Sequence, residues 1–121
     1  MDYTPLDIIN KLMKIDDELC HYCTMLANFT DELADLEASY DKALSIELVK
    51  MESEGKAKTT AEKIAKGQDH IVALAINLKG KKEQIKNLRQ RVDAWKSRLS
   101  VGQSVLSWMN QKEKYDNYTG R

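Results

Sequence analysis

Proline and glycine are scarce in this chain, and their scarcity narrows the fold at once. One proline and five glycines in 121 residues leave too few chain reversals for a β-sandwich or barrel, whose short strands need frequent turns. No apolar stretch approaches the roughly 18 residues of a membrane span. Residues 1–7, Met-Asp-Tyr-Thr-Pro-Leu-Asp, have neither the basic start nor the apolar centre of a secretory leader, so a cytoplasmic location is expected, the host cytoplasm if the protein is viral. Two cysteines are too few for a disulfide framework.

What the sequence does have is a pair of apolar series at alternating four- and three-residue steps. The first runs Ile8, Leu12, Ile15, Leu19, Tyr22, Leu26, Phe29, Leu33, Leu36, Tyr40, Ala43 with no polar residue in the series. The second runs Ile64, Gly67, Ile71, Leu74, Leu78, Lys81, Ile85, Leu88, Val92, Trp95, Leu99, Gly102, Leu106, Met109. Such spacing is the seam of a coiled coil. It predicts an all-α protein built as a long antiparallel helical hairpin in one domain, residues 1–110, followed by a flexible tail, 111–121.

The predicted boundaries follow from local chemistry. Thr4-Pro5 opens a helix, with threonine placed to cap and proline at the first helical position, and Asp7 suits the positive helix end. Nothing interrupts this helix until about residue 54, roughly 75 Å of helix at about 1.5 Å per residue. Gly55 ends it, residues 55–59 form the turn, and Thr59-Thr60-Ala61-Glu62 has the makings of a capping box for a second helix over about 60–110. Gly67 is a candidate break near Lys66, with the main helix resuming around Gln68 or Asp69.

Net charge is zero, with 19 basic and 19 acidic residues, but the sum hides a division. Residues 1–54 hold four Lys against thirteen acids, a balance of −9, and residues 55–121 hold fifteen Lys or Arg against six acids, a balance of +9. In the hairpin, facing residues sum to about 114. Asp16, Asp17 and Glu18 then lie near Lys96 and Arg98, and Asp31, Glu32 and Asp35 near Lys79, Lys81 and Lys82. The charges are expected to act first as a pairing code, any surplus being open to phosphates. Lys81 interrupts the second seam opposite Leu33, where a polar residue fixes register, with Asp31 and Asp35 as its expected partners.

Apolar residues outside the seams need cover. Ile9 and Met13 beside the first seam, with Val101, Val105 and Trp108 beside the second, form a candidate oligomer or partner interface, and self-association into a four-helix bundle or larger ring is expected. A similar surplus near the turn comprises Leu44, Leu48, Val49 and Met51 with Val72 and Ile76. The alternative for that end is that the segment from Thr60 to Lys66 folds back over it.

Motifs for chemistry are few. Cys20-His21-Tyr22-Cys23 has metal-like spacing, but structural zinc takes four ligands and His70 lies far along the chain; reduced, partly buried cysteines are expected and no metal site is assigned, a zinc shared across a dimer being the alternative. Residues 55–60, Gly-Lys-Ala-Lys-Thr-Thr, hold the residue types of a P-loop without its order. No base is held beside a nucleophile, so no catalytic residue and no cofactor is assigned and a non-enzymatic role is expected. In the tail, Tyr115 and Tyr118 beside Lys112, Lys114 and Arg121 are the residue types that stack bases and bind phosphates, although a solvated tail is the plainer reading.

Tyr40-x-x-Ala43-Leu44, Lys50 to Lys56, the threonines at 59 and 60, Trp95-Lys96-Ser97-Arg98-Leu99 and Gln103-Ser104-Val105-Leu106 together resemble the UvsY-type family of phage recombination mediators, over about residues 36–110. The resemblance implies an all-helical, oligomeric protein that binds single-stranded DNA and helps a recombinase displace a single-strand-binding protein. Carried onto this sequence, it implies phosphate contacts at Lys56, Lys58, Lys96 and Arg98. The acidic stretch from Asp31 to Glu37 departs from that picture. A coiled-coil adaptor or small viral inhibitor of a host enzyme, with no nucleic-acid role, is the second expectation.

Overall fold

A computed structural model describes residues 3–118 and is all-α. Helix α1 spans Pro5–Ser53, α2 Lys58–Lys66 and α3 Asp69–Tyr118. The chain divides into two compact units, one of Met1–Met25 with Leu88–Arg121, the other Leu26–Asn87. In each, a stretch of α1 lies antiparallel to a stretch of α3.

Helix α1 begins as its sequence requires. The Thr4 backbone N–H donates to Asp7 Oδ2 at 2.9 Å, and the Asp7 N–H donates to Thr4 Oγ1 at 3.2 Å, a reciprocal capping box. Hydrogen bonding to the carboxylate by the Thr4 backbone N–H first and by the Thr4 side chain second, with Lys11 adding a smaller attraction, holds the Asp7 carboxyl below its ordinary value of 3.8. The far end closes in a Schellman motif. Gly55 N–H donates to Glu52 O at 3.0 Å and Lys56 N–H to Met51 O at 3.2 Å, while Gly55 takes φ +78°, a left-handed conformation that glycine adopts without a Cβ clash.

In the unit holding the turn, α2 folds back over the apolar surplus. Ala61 and Ala65, with Met51, form a buried cluster against which Leu44, Leu48 and Ile64 pack. The two alanines, one turn apart on α2, bring its backbone close to α1. Val49 and Ile76 remain 66% and 65% exposed, so this cover is partial. Gly67 caps α2 and α3 resumes at Asp69, as expected. The expected Thr59-to-Glu62 capping box does not form: Ala57 is the N-cap and makes no side-chain bond. The start of α2 is set by the chain leaving Gly55 and by the docking of Ala61 and Ala65, and both threonines are drawn inside the helix.

The seams are realised as spaced. Every position of the first series is half-buried; in the second, Ile71, Ile85, Leu88 and Val92 are buried and only Gly67 is exposed. Tyr22 and Trp95 stack at 6.3 Å in the unit that holds them. A Cβ built on Gly102 would run into Leu12 Cδ2, two positions whose numbers sum to 114. Helix α3 also continues through residues 111–118, a correction to the boundary expected near 110. Gln111-Lys112-Glu113-Lys114 are good helix formers and propagate a helix already nucleated. Residues 119–121, Arg121 of the expected tail among them, lie outside the described residues.

The two helical glycines separate space from propensity. Gly80 has nothing within 4 Å of an added Cβ, so Gly80→Ala raises stability by about 1 kcal/mol. Gly102→Ala gains less, because Leu12 must move; paired thermal denaturation curves read the difference. At the N-terminus, the lowered Asp7 pKa makes the capping box fully formed above 3.8 and lost as pH falls through the lower folded value. Protection of the first-turn amides of α1, measured against their intrinsic exchange at each pH, falls in that acidic window, and Asp7→Asn removes that change.

Candidate nucleic-acid interface

The basic half of the chain is the candidate site, and the heptad positions sort its side chains. Two antiparallel helices sharing an a/d seam meet along two flanks, e against e and g against g. On α3, Lys79, Lys82 and Lys86 recur at steps of three and four on the b/e flank, all exposed, in the unit that holds the turn. Arg89 and Lys96 keep the same spacing on α3 and are exposed in the other unit. Among the described residues none of these five forms an ion pair.

The expected pairing code is therefore largely unrealised. Of the cross-helix pairs, Lys81 Nζ meets Glu32 Oε2 at 2.6 Å, and His70 Nε2 lies 3.4 Å from Glu47 Oε1. Asp16, Asp17 and Glu18 do not pair with Lys96 or Arg98, nor Asp31 or Asp35 with Lys79, Lys81 or Lys82. The reason is mainly angular. Glu18 and Glu32 occupy g positions, Asp35 a c position and Asp17 and Asp31 f positions, all facing away from the b/e flank where Lys79, Lys82 and Lys96 stand; Glu18 shares the g flank with Arg98, whose guanidinium lies on the Trp95 ring instead. Asp16, at an e position, shares that flank and stays exposed without an ion pair. Lys81 in the seam takes Glu32, not Asp31 or Asp35, and its ammonium also lies 4.4 Å from the Phe29 ring centroid.

The four cations carried over from the resemblance divide between the units. Lys56 and Lys58 flank the turn, Lys56 in an exposed pair with Glu54 at 3.6 Å and Lys58 opening α2. An exposed pair of this kind contributes about 0 to 1 kcal/mol and yields readily to a phosphate. In the other unit the Arg98 guanidinium stacks 4.7 Å from the Trp95 ring, and Lys96 is exposed. The residues the sequence reading missed are Lys79, Lys82, Lys86 and Arg89. Their spacing was the signal, hidden because Lys79 and Lys82 sat opposite Asp35 and Glu32 in a flat alignment of the two helices.

Aromatic side chains accompany the cations. Trp108 and Tyr115 are 61% and 65% exposed and lie two turns apart on one face of α3, with Lys112 Nζ 5.4 Å from the Trp108 ring. The side chain of Tyr118 lies outside the described residues.

Ile9, Met13, Val101, Val105 and Trp108 are all exposed in one unit, but they are not one surface. Val101 lines a shallow groove of about 360 Å³ with Ile8, Lys11, Leu12, Ile15 and Arg98. Lys11 and Ile9 leave α1 about 200° apart, so Val101, Val105 and Trp108 stand on the flank of Lys11, and Leu6, Ile9 and Met13 on the other. Cys20 and Cys23 are free and exposed, not partly buried as expected; they fall at b and e positions, outside the seam.

Compared with protein-family models, curated proteins and solved structures, the chain matches none. Among the described residues no helix is long and apolar enough to cross a membrane.

The seam lysine is separable from the basic row. Its side chain is only 18% exposed whereas Glu32, at 54%, stays in water, so an apolar side chain of similar volume at this seam position removes a desolvated ammonium without leaving a buried charge unpaired. Lys81→Met is expected to raise the free energy of unfolding by up to about 1 kcal/mol, while Glu32→Ala lowers it; urea titrations of the two variants check this.

Proposed function

We propose that this protein is a non-enzymatic accessory factor of phage-type recombination or replication that binds single-stranded DNA as an oligomer and works beside a recombinase or single-strand-binding protein in the host cytoplasm. The observation that carries the reading is the row Lys79, Lys82, Lys86 on one face of α3, exposed and without acid partners. Unpaired cations at helical spacing gain affinity by releasing phosphate counterions. Exposed Trp108 and Tyr115 add faces on which bases of any sequence stack. The resemblance to UvsY-type mediators points the same way.

A second reading, a protein-interaction module without nucleic acid, is favoured by the exposed Val101, Val105 and Trp108. On that reading, replacing Val105 and Trp108 abolishes capture of a partner while the hairpin stays folded, and DNA is irrelevant.

Fluorescence anisotropy of a labelled single-stranded oligonucleotide at low and moderate salt separates the two. Binding that weakens with salt is expected. The triple variant Lys79→Ala, Lys82→Ala, Lys86→Ala lowers affinity at least tenfold and flattens the log–log salt slope by about 2, each phosphate no longer neutralised accounting for roughly 0.7. The quadruple alanine variant at Lys56, Lys58, Lys96 and Arg98 weakens binding as well. No binding at either salt overturns the proposal.

A further inference from the structure

We propose that Cys20 and Cys23 are half of a tetrahedral thiolate site for zinc, completed by the same two cysteines of a second copy docked on the α1 flank that carries Leu6, Ile9 and Met13. The inference is independent of DNA binding.

Four observations converge on it. The first is alignment. Leu6, Ile9, Met13, Cys20 and Cys23 all fall at b and e positions of α1, a row offset from the seam with heptad spacing of its own, which also takes in exposed Asp16 between Met13 and Cys20. Leu6, Ile9 and Met13 are 64, 41 and 63% exposed, and both thiols are free and exposed.

The second is what such a row takes. In the unit that holds the turn, the b and e positions Leu44, Leu48 and Met51 seat a helix, with Ala61, Ile64 and Ala65 of α2 packed on them. In the other unit, no described helix covers the equivalent positions, and α1 of a second copy supplies one.

The third is ligand count. Thiols three residues apart on a helix have Cβ atoms about 5–6 Å apart, close enough for one ion to draw both sulfurs to about 2.3 Å. A structural zinc takes four such ligands. Among the described residues no cluster of three or more His, Cys, Asp or Glu could hold a metal, and His21 turns its ring toward Tyr22, 5.6 Å away. An isologous two-fold interface presents the same pair twice and so completes the set.

The fourth is charge. Four thiols lose four protons to solvent as they bind Zn²⁺, leaving a site of charge −2 whose affinity rises with pH. Arg89 and Lys96 stand at e positions of α3 in the same unit, on the flank where e meets e, and offset that charge.

Zinc content and solution mass of the full-length protein, reduced and freed of metal and then equilibrated with zinc, test this directly. One zinc per two chains is expected, in a species of twice the chain mass. Cobalt in place of zinc should give the intense thiolate-to-metal absorption and visible bands of a tetrahedral sulfur site. Cys20→Ser and Cys23→Ser each weaken metal binding at least a hundredfold with helicity unchanged by circular dichroism. Ile9→Lys with Met13→Lys weakens zinc uptake although both cysteines remain. The proposal is overturned by failure to retain zinc at micromolar concentration, by one zinc per chain in a monomer, or by uptake that survives loss of both cysteines.

Discussion

Each of the two long helices has one seam to give to the other, and the rest of the structure follows from how little that buries. A pair of helices covers a single stripe on each partner, so most seam residues here are only half-buried, and among the described residues burial is confined to Met51, Ala61, Ala65, Ile71, Ile85, Leu88 and Val92. Three of those seven belong to the cluster formed where α2 adds a third helix. Burial of apolar area is what offsets chain entropy. The protein is therefore most complete where three helices meet and least complete where two do.

The same antiparallel geometry decides what the charges do. A chain that is acidic in its first half and basic in its second invites the expectation that the halves neutralise each other. The helical wheel overrules it: an antiparallel pair sets e beside e and g beside g, and most of these acids and bases occupy different flanks. Among the described residues, Lys81 with Glu32 is where opposite signs meet across the seam, and the His70 ring stands beside Glu47. The cations left over on α3 are free for a polyanion, and that is the physical basis of the proposed role.

How much of this was legible in the sequence can be traced residue by residue. The seam positions and their sum of 114 were, because an apolar series of mixed three and four steps has one physical solution. Gly55 was too, since a left-handed residue after a long helix wants glycine. The start of α2 was not: a threonine pair with a following glutamate is a good local cap, but packing of Ala61 and Ala65 against Leu44, Leu48 and Met51 overrode it. Residues 111–118 lacked an apolar period yet stayed helical, because period reports burial and not helicity. In the candidate site, Lys96 and Arg98 came from the resemblance, whereas Lys79 and Lys82 needed a flank assignment before they stood apart from the acids opposite them, and Lys86 before it joined their row. The five apolar candidates failed as a single surface for the same reason: linear proximity to a seam does not say on which side a residue stands.

The Gly55 reversal has a kinetic consequence. Met51 finds Ala61 and Ala65 only ten and fourteen residues along the chain, a loop whose closure costs little entropy, so these contacts can form before any distant pairing has been made. Local contacts of this kind speed the search for the native state. During folding the bend and its alanine-lined cluster assemble first, and the coil closes away from them toward the termini, each added layer shortening the loop that the next must close.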